Sequence, residues 1–598
     1  MTQPTIIDRF HALASAHPGD PLYTWVDDEG RDRETLSFGD TLALARAVAA
    51  QLTEKHGLRA GDRVLLVYPP SLDFVVTFLG CLLAGLVPAP IYPPNPLGLE
   101  RDLGTFAAIA TDCRASAVLT NASYARMRQL GAVKNLFTRN TARWPDVPWH
   151  TVAATRGTAA APTHVACPAD VAFLQYTSGS TSTPKGVMIT HANIVAEAEA
   201  NARDLGLRRS VRCVFWVPQY HDFGLISGIL SALAGNGHLY MMSPMAFVRR
   251  PSVWLEVMSR VRATHSATPN FGLELAVRKT TPAERARWDL SALEAIVCAA
   301  EPVRAATLDA FNAAFGPTGL SPTVVRPSYG LAEHTVSVTV GRHLRLEVDR
   351  ASLEAGRAVP RREGAPYLTL VGCGHVTKPN AVVRIVSPDT GRPCADGEIG
   401  EIWVDSPTKA AGYFGREEAT RESFGARVDD PADERTYLRT GDLGFFWVGE
   451  LVPTGRCKDL IIIRGRNYYP QDVEDDLRVA HPSIRPGGVA AFARPNPSGE
   501  EELVVVVEVA DERSGRASAG EVATAVRRLI QASLQVSCAL VVVGAKGTVP
   551  KTTSGKVRRQ ACRESLSDGS LESAATTFLV SCVPSGAEGV VPAASPGP

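Results

Sequence analysis

Paired cysteines, net charge and a targeting segment are all lacking in this sequence. Its 11 cysteines include no Cys-x-x-Cys pair and no metal-ligand spacing, which argues against a disulfide framework and a cysteine-ligated metal centre. Lys and Arg number 62 and Asp and Glu also number 62, so the charge of the whole chain does not favour nucleic acid or an anionic membrane as the main partner. No secretory apolar core follows Met1. We therefore expect a cytoplasmic protein with reduced thiols and no nucleic acid partner.

An uninterrupted apolar run of membrane-spanning length is also missing. The most apolar stretch, residues 74–91, is about long enough to span a bilayer but contains Pro88 and Pro90. Because proline interrupts a helix, we interpret this stretch as a buried helix that runs into a strand. We expect no integral membrane association.

Lysine is scarce, with ten lysines against fifty-two arginines. Each lysine is therefore a rarer choice in this chain than in most proteins. Four of the ten fall within the motifs that carry the functional argument below: Lys185, Lys458, Lys551 and Lys556.

The length of 598 residues and the 45% hydrophobic composition predict a large core and more than one domain. Through the first two thirds, helical patterns alternate with apolar strands, which predicts layered α/β architecture. After Arg456 a shorter unit begins, with strands at residues 502–510 and 540–543 and a helical pattern at 522–530. We predict a large N-terminal domain over residues 1–455, a small α+β domain over 456–575, and a disordered tail over 576–598 that is rich in Ser, Gly, Ala and Pro.

A Gly-, Ser- and Thr-rich loop that ends in a lysine follows the apolar run at residues 171–174. Glycine lets backbone N–H groups converge on phosphate oxygens, hydroxyl groups add donors, and the lysine adds positive charge. The spacing is not that of a Walker P-loop, so we predict a different polyphosphate-binding loop, with a plain surface turn as the alternative. Its candidate residues are Thr177, Ser178, Gly179, Ser180, Thr181 and Lys185.

Further motifs follow in a distinctive order: Tyr220-His221-Asp222-Phe223-Gly224, Ala300-Glu301-Pro302, Tyr329-Gly330-Leu331-Ala332-Glu333, Thr440-Gly441-Asp442, Arg456-Cys457-Lys458-Asp459 and Thr553-Ser554-Gly555-Lys556. Together with the loop they resemble the adenylate-forming (acyl-activating) superfamily over about residues 10 to 565. Within it, Ser182 and residues 220–226, 270–275 and 466–472 resemble the fatty acyl-AMP ligases. Tyr468, in place of a frequent histidine, and His334 are small departures from the pattern.

The resemblance implies a large multilayer N-terminal adenylation domain, a small α+β C-terminal lid domain and the use of ATP and Mg²⁺. Joining a carboxylate to AMP brings together two negative groups, so charge neutralisation is the main task. Glu333 corresponds to the Mg²⁺ ligand, Asp442 to the residue that accepts hydrogen bonds from the ribose hydroxyls, and Arg456 to a second ribose or phosphate contact.

Other residues take family roles in the same way. Tyr329, with Gly330 after it, would offer a face for adenine, and Ala300, Glu301 and Pro302 would lie along its edge. Lys556 would reach into the site and contact both the carboxylate and the α-phosphate, and it is the leading catalytic candidate. Lys185 would contact phosphate, and His221 would lie beside the reacting carboxylate. Each has a structural alternative, such as a core tyrosine, a solvated loop carboxylate or a structural histidine.

The acid is indicated by what the chain does not contain. Amino-acid-activating relatives grip an ammonium group with an aspartate that follows a phenylalanine, and this sequence contains no Phe-Asp pair. Residues 220–245 are mostly small or apolar, which suits an alkyl chain because each buried CH₂ contributes roughly 0.8 kcal/mol. These residues predict a fatty acid substrate, with packed core helix as the alternative.

The prediction of the acyl acceptor rests on residues 342–370, which lie where the ligases that load carrier proteins have an insertion. In that family the insertion hinders use of CoA and restrains the second domain. The resemblance therefore implies acyl transfer to a phosphopantetheinylated acyl carrier protein of the polyketide or nonribosomal peptide synthase type. The alternatives are a fatty acyl-CoA synthetase and a non-catalytic acyl-adenylate-binding protein.

Overall fold

A computed structural model describes residues 4–96, 103–138, 144–153, 163–177, 184–341, 344–496, 500–510, 519–552, 555–571, 578–581 and 591–592. Its strands, in chain order, are β1 (Pro21–Val26), β2 (Asp32–Ser37), β3 (Arg63–Leu66), β4 (Val87–Pro90), β5 (Ala117–Thr120), β6 (Trp149–Thr151), β7 (Val171–Thr177), β8 (Lys185–Thr190), β9 (Arg212–Phe215), β10 (His238–Met242), β11 (His265–Thr268), β12 (Ala295–Cys298), β13 (Val325–Gly330), β14 (Ser337–Val340), β15 (Arg345–Asp349), β16 (Tyr367–Val371), β17 (Val382–Val386), β18 (Gly400–Asp405), β19 (Leu438–Trp447), β20 (Glu450–Arg456), β21 (Ile461–Ile463), β22 (Arg466–Tyr468), β23 (Ile484–Pro495), β24 (Glu501–Val509), β25 (Cys538–Gly544), β26 (Phe578–Ser581) and β27 (Val591–Pro592).

The α-helices are α1 (Ile6–Ala16), α2 (Phe38–Ala50), α3 (Leu72–Leu83), α4 (Leu103–Asp112), α5 (Ala122–Thr138), α6 (His191–Leu205), α7 (Asp222–Gly224), α8 (Ser231–Gly235), α9 (Pro244–Arg249), α10 (Ser252–Arg260), α11 (Asn270–Lys279), α12 (Pro282–Arg285), α13 (Ala305–Phe315), α14 (Arg350–Glu354), α15 (Glu417–Phe424), α16 (Pro470–Leu477), α17 (Ala519–Leu534) and α18 (Arg559–Ser567). Shorter 3₁₀ or π turns are Gln51–Lys55, Leu225–Leu230, Gly316–Thr318, Ala332–His334 and Cys457–Asp459. Within the part of the chain that the structure describes, no helix is both long and apolar enough to cross a bilayer.

Two sheets form the centre of the large domain. One has the strand order β14-β13-β12-β11-β9-β10-β1-β2 and is parallel except at its two ends, and the other has the parallel order β4-β3-β5-β6. Helices α2, α3 and α6 share one apolar core with strands of both sheets, so they lie between them. Helices α10 and α13 cover the other face of the larger sheet. This layered arrangement confirms the predicted α/β class.

The apolar stretch at residues 74–91 forms α3 followed by β4, as the sequence predicts. Helix α3 is buried along nearly its whole length, because it lies between the two sheets. Strand β4 contains Pro88 and Pro90 and lies at the edge of its sheet, where a missing backbone N–H costs little. Burial between layers explains this apolar run without a bilayer.

An antiparallel sheet, β17-β18-β19-β20, completes the large domain and leads directly into the linker Cys457–Asp459. Beside it, β15 and β16 pair antiparallel, and α14 lies between them in the sequence. These elements belong to the segment 342–370 that the sequence analysis marked as an insertion.

The small domain is a sheet of order β23-β24-β25-β26-β27 with α16 and α17 packed on one face, which agrees with the α+β prediction. Strand β25 and helix α17 extend beyond the predicted elements at both ends, and β24 is shifted by one residue from the predicted strand at 502–510. The segment predicted to be disordered differs from expectation, because β26 pairs antiparallel with β25 in the register Val541↔Val580. The backbone of the apolar run Phe578-Leu579-Val580 pairs with the otherwise open edge of β25. Overall composition does not reveal this pairing.

A buried ion pair ties α6 to the strand that follows the Tyr329–Glu333 motif. Lys378 Nζ lies 2.5 Å from Glu197 Oε2, and their side chains are 4% and 0% exposed. Ser337 donates its backbone N–H to the same carboxylate, and Lys378 also donates to the carbonyl of Ser337. Burial, and then the charge of Lys378, lower the pKa of His334 well below its usual value, so this histidine is a neutral member of the network.

Replacing Lys378 with methionine should lower the free energy of unfolding by about 3–5 kcal/mol, because Glu197 is left buried and unpaired. Urea denaturation followed by tryptophan fluorescence measures the change. The double variant Lys378→Met with Glu197→Gln is the matched control, because it removes both charges and should recover most of the loss. A Lys378→Met loss below about 1 kcal/mol would contradict this interpretation of the network.

Candidate active site

Within the described residues, a large cavity of about 2540 Å³ lies between the two domains, at the carboxyl ends of the parallel strands β11, β12 and β13. Ligands commonly bind outside these strand ends in open α/β sheets. Of the predicted site residues, those with described side chains all line this cavity: Lys185, His221, Ala300, Glu301, Pro302, Tyr329, Gly330, Glu333, Asp442, Arg456 and Lys556.

The predicted phosphate loop is only partly visible. Thr177 ends β7 and pairs in register with Lys185, the first residue of β8. Ser178, Gly179, Ser180 and Thr181 lie outside the described residues. The hairpin therefore holds Thr177 and Lys185 opposite each other, and Lys185 lines the cavity.

The turn after β12 carries the residues expected along the edge of adenine. Ala300 has φ +73°, a conformation that costs a non-glycine residue energy and that often marks a functional turn. Glu301 Oε1 accepts a hydrogen bond of 2.6 Å from the backbone N–H of Phe271. Burial raises the pKa of Glu301, whereas this hydrogen bond and the charges of Arg304 and Lys556 oppose the rise.

Three side chains from two different sheets meet at the expected ribose position. Tyr329 Oη donates to Asp442 Oδ2 at 2.8 Å, and Arg456 Nε lies 3.3 Å from Asp442 Oδ1. Asp442 and Arg456 are direct cross-strand neighbours on β19 and β20, so the antiparallel register brings them together. Gly330 follows Tyr329 where a Cβ atom would stand 1.8 Å from the carbonyl oxygen of Val336, so only glycine fits there.

Glu333 lies on the short 3₁₀ turn Ala332–His334 and faces the cavity. Its Oε1 accepts a 3.0 Å hydrogen bond from Tyr413 Oη, and Lys185 Nζ lies 4.7 Å from the centre of the same tyrosine ring. Burial raises the pKa of Glu333, so the ionised carboxylate is destabilised in the protein alone. A carboxylate in this state fits a hard divalent cation, which binds through one or two carboxylates plus phosphate and water oxygens.

His221 and Asp222 form a close pair at the start of α7. His221 Nδ1 lies 2.5 Å from Asp222 Oδ1, which also accepts a 2.6 Å hydrogen bond from the backbone N–H of Phe223. Burial alone would raise the pKa of Asp222, but the charge and hydrogen bond of His221 and the charge of Lys556 outweigh it, and the pKa is lowered. The carboxylate therefore stays ionised and holds the imidazole ring.

Lys556 reaches the cavity from the small domain. Its loop is closed by Thr552, whose side chain accepts a 3.0 Å hydrogen bond from the Lys556 backbone N–H and whose own N–H donates to the Lys556 carbonyl at 2.8 Å. Burial and the charge of Arg456 lower the pKa of Lys556. The carboxylates of Asp222 and Asp442 oppose that shift. Groups from both domains therefore share one electrostatic environment.

The sequence analysis did not identify Tyr413, Phe271 or Asp222 as site residues. Tyr413 contacts both Lys185 and Glu333, and Phe271 contacts Glu301 through its backbone. An aromatic residue between Gly412 and Gly415 was the only signal for Tyr413, and it has many structural explanations. Asp222 could have been suspected from its position beside His221.

Comparison with known proteins identifies the family of this chain. The family model described as "AMP-binding enzyme" matches residues 10–414, and the model "Disco-interacting protein 2-like, AMP domain" matches residues 458–576. The chain belongs to the AMP-binding enzyme family. Among its relatives, the medium-chain fatty acid–acyl carrier protein ligase JamA of Moorena producens is 37% identical, with 95% of this chain and 96% of JamA covered.

Other similar proteins place this AMP-binding enzyme in one branch of its family. The long-chain fatty acid–AMP ligase FadD32 of Mycolicibacterium smegmatis is 34% identical, with 90% of this chain and 89% of that protein covered. The crystal structure of a fatty acid AMP ligase from Legionella pneumophila has a TM-score of 0.71 at 33% identity, with 94% of this chain and 96% of that chain covered. These matches confirm the resemblance to the fatty acyl-AMP ligases.

Glu333→Gln should raise the stability of the ligand-free enzyme at neutral pH, because glutamine keeps the hydrogen bond from Tyr413 and removes a buried charge. The pKa of Glu333 is higher in the folded protein than in the unfolded chain. The stability that the protonated carboxyl contributes is therefore complete below the unfolded pKa, and it is lost as pH rises through the folded pKa. The gain should therefore be present at pH 7–8 and disappear near pH 4. Thermal unfolding across pH measures it.

The matched control for this measurement is Glu54→Gln. Glu54 is an exposed glutamate that does not line the cavity, so this change should leave the unfolding temperature unchanged. A Glu333→Gln variant that is less stable than the wild type at pH 8 would contradict the argument that the site destabilises its own carboxylate.

Proposed function

We propose that this enzyme activates a fatty acid with ATP to give acyl-AMP and pyrophosphate, and then transfers the acyl group to the phosphopantetheine thiol of an acyl carrier protein. The main observation in support is that Lys556 of the small domain lies in one cavity with Asp442 of β19 and Arg456 of β20. A fold that only bound a nucleotide would not need a lysine delivered from a second domain.

The nucleotide is bound by side chains whose orientation is already fixed in the protein alone. Asp442 accepts hydrogen bonds from the ribose hydroxyls, with Tyr329 and Arg456 holding its carboxylate in place. Adenine lies against Tyr329 with its edge along Ala300-Glu301-Pro302. Because these residues are held by strands and by the strained turn at Ala300, little reorganisation is needed when the nucleotide binds.

The chemical step depends on positive charge at the α-phosphate. Lys556 contacts the attacking carboxylate and the α-phosphate, and Lys185 contacts the outgoing phosphates at the end of the Thr177–Lys185 loop. His221, held through Nδ1 by Asp222, orients the acid. The acyl carboxylate oxygen forms a bond to the α-phosphorus, and the bond from the α-phosphorus to the bridging oxygen of pyrophosphate breaks.

Magnesium would be held by Glu333, whose carboxylate faces the cavity and is destabilised without a cation. When bound, the ion would withdraw charge from the leaving pyrophosphate. Tyr413 orients this carboxylate through its hydroxyl group.

A fatty acid as substrate is supported by the apolar part of the cavity wall. This part lies between α6, β9 and β14 and includes Leu205, Leu207, Phe215, Ala267 and Val336. An alkyl chain buried there gains roughly 0.8 kcal/mol for each CH₂. The names of JamA and FadD32 both specify a fatty acid, which points to the same substrate class.

A carrier protein as acceptor, rather than CoA, is supported by the packing of the segment 342–370. Leu346, Val348 and Leu353 of this segment share a core cluster with Phe445 of the large domain and Tyr469 of the small domain. Arg350 also donates to the carbonyl oxygen of Ser533 at 3.4 Å, across the domain boundary. A segment anchored on both domains restrains the small domain, as the insertion of the fatty acyl-AMP ligases does, and in that family the insertion hinders the use of CoA. JamA is named as a ligase for an acyl carrier protein.

The second half-reaction needs the small domain to leave its present orientation, because Lys556 occupies the side of the site that the thiol would approach. We propose that it turns about the linker Cys457–Asp459. The thiolate then attacks the acyl carbonyl, a carbon–sulfur bond forms, and AMP leaves with the electron pair of the carbon–oxygen bond.

Pyrophosphate–ATP exchange with a panel of fatty acids tests the first half-reaction, with amino acids and short polar acids in parallel. Exchange that depends on fatty acid and on Mg²⁺ supports the proposal, and no exchange with any acid supports a non-catalytic binding protein. CoA and a phosphopantetheinylated carrier protein are then compared as acceptors. Efficient acyl-CoA synthesis with little acyl-carrier product would overturn the proposed acceptor in favour of a fatty acyl-CoA synthetase.

Lys556→Ala should reduce the rate of acyl-AMP formation by about 10²- to 10³-fold, because it removes one preorganised donor from the reacting phosphate. Transfer from supplied acyl-AMP to the carrier protein should remain largely intact. Separate single-turnover assays measure the two steps. Arg528→Ala, which removes an exposed cation of α17 in the same domain and outside the cavity lining, is the control. Equal loss of both steps in Lys556→Ala would count against the assigned role.

A further inference from the structure

Helix α16 of the small domain and the residue that follows it carry three charged side chains that face the large domain. We call residues 470–478 the docking helix. Asp475, Asp476 and Arg478 each meet an oppositely charged side chain across the domain boundary: Arg304, Arg350 and Glu274.

The pair between Arg478 and Glu274 has the most complete geometry. Arg478 Nη2 lies 2.6 Å from Glu274 Oε2 and Nη1 lies 3.2 Å from Oε1, so the contact is bidentate. Glu274 is held ready for it by Asn270, which donates at 3.1 Å, and by Thr307, which donates at 3.0 Å. The acceptor is therefore preorganised by the large domain.

The other two pairs flank this contact. Arg304 Nε contacts Asp475 Oδ2, and Arg304 also lies 3.4 Å from Glu274. Arg350 Nη2 lies 2.9 Å from Asp476 Oδ2, and the Arg350 side chain is only 13% exposed. Two negative charges of the docking helix thus face two positive charges of the large domain, and one positive charge of the helix faces one negative charge. Shifting the helix along the surface would bring like charges together, so the pattern specifies one register.

The same helix holds the loop that carries Lys556. Glu474, beside Asp475, accepts two hydrogen bonds of 2.7 Å from Arg559, which follows Lys556 by three residues. Arg559 also donates to Asp459 of the linker at 2.9 Å. Arg559 therefore connects the docking helix, the linker and the catalytic lysine loop.

Helix α11 of the large domain completes the connection. It supplies Glu274 to the docking helix, and a Cβ atom built on Gly555 would lie 3.5 Å from the ring of Phe271, its second residue. The docking contact at Glu274 and the contact with the Lys556 loop at Phe271 therefore lie within one turn of α11.

We propose that Asp475, Asp476 and Arg478 are positioning residues that hold the small domain in the orientation in which Lys556 enters the cleft. This inference rests on the proposed function. The residues do not touch the reacting atoms, and the three pairs must separate when the lid turns for acyl transfer. Their effect is therefore specific to the first half-reaction.

The first test is a double-mutant cycle in the full-length enzyme with Arg478→Ala, Glu274→Ala and both together. Each single variant should slow acyl-AMP formation by about 10- to 100-fold, because a small displacement of the catalytic group has a cost of this size. Transfer of supplied acyl-AMP to the carrier protein should not decrease. The double variant should be no slower than the slower single variant, since both changes remove the same contact.

Arg494→Ala is the matched control, because Arg494 pairs with Glu502 at 2.7 Å within the small domain and both residues belong to neighbouring strands there. It should leave both half-reactions unchanged. A purely structural loss would instead reduce both half-reactions in the cycle variants.

A charge exchange provides a positive result that misfolding cannot imitate. Asp476→Arg places two arginines together and should slow acyl-AMP formation, and adding Arg350→Asp to that variant should restore at least part of the rate. Absence of any recovery, additive effects in the Arg478 and Glu274 cycle, or equal loss of both half-reactions would each overturn the proposal.

Hydrogen exchange separates this inference from the proposed function. Amides of residues 470–478 should exchange faster in Arg478→Ala than in the wild type or in Arg494→Ala, whether or not the enzyme activates an acid. Unchanged exchange would overturn the docking role. Wild-type enzyme that activates no acid, with faster exchange in Arg478→Ala, would overturn the proposed function and leave the docking contact supported.

Discussion

The structure depends on keeping ionised side chains from two domains together in one cleft. Lys556 lies near Arg456, which repels it, and near Asp222 and Asp442, which attract it. Because opposite charges attract over several ångströms, the acidic groups favour the approach of a second cation. The carboxylate of Asp442 faces Arg456 directly across two strands, so it offsets the charge of Arg456 in the protein alone, in addition to its proposed role at the ribose.

The large domain supplies the fixed part of this environment. The carboxyl ends of β11, β12 and β13 deliver Phe271, Ala300-Glu301-Pro302 and Tyr329 to one edge of a sheet whose two faces are covered by helices. Behind that edge, the buried pair of Glu197 and Lys378 ties α6 to β14. The turn that carries Glu333 is thus supported from the interior, while its carboxylate faces the cavity.

Much of the fold and of the site could be predicted from sequence because the signals were local. Residues 74–91 showed a buried helix and a strand through their apolar run and its prolines, and the motifs around Tyr329 and Asp442 are contiguous. The contacts that could not be predicted join distant residues: Glu274 and Arg478 are 204 positions apart, and Tyr413 reaches Glu333 over 80 positions. Charged residues on a short helix are usually solvated, so nothing in the sequence of α16 distinguished a docking surface. The strand at Phe578–Ser581 is similar, because its pairing depends on the exposed edge of β25.

The carboxylates that surround Lys556 have a chemical consequence beyond orientation. An acyl-adenylate is a mixed anhydride, and an uncharged amine next to it would be converted into an amide, which would inactivate the enzyme permanently. Burial and Arg456 both push Lys556 toward the uncharged amine, and Asp222, Asp442 and Glu301 favour the ammonium form, which has no lone pair to attack with. The pKa of Lys556 is lowered overall, and these three carboxylates limit that shift and with it the fraction of uncharged amine beside the acyl-adenylate.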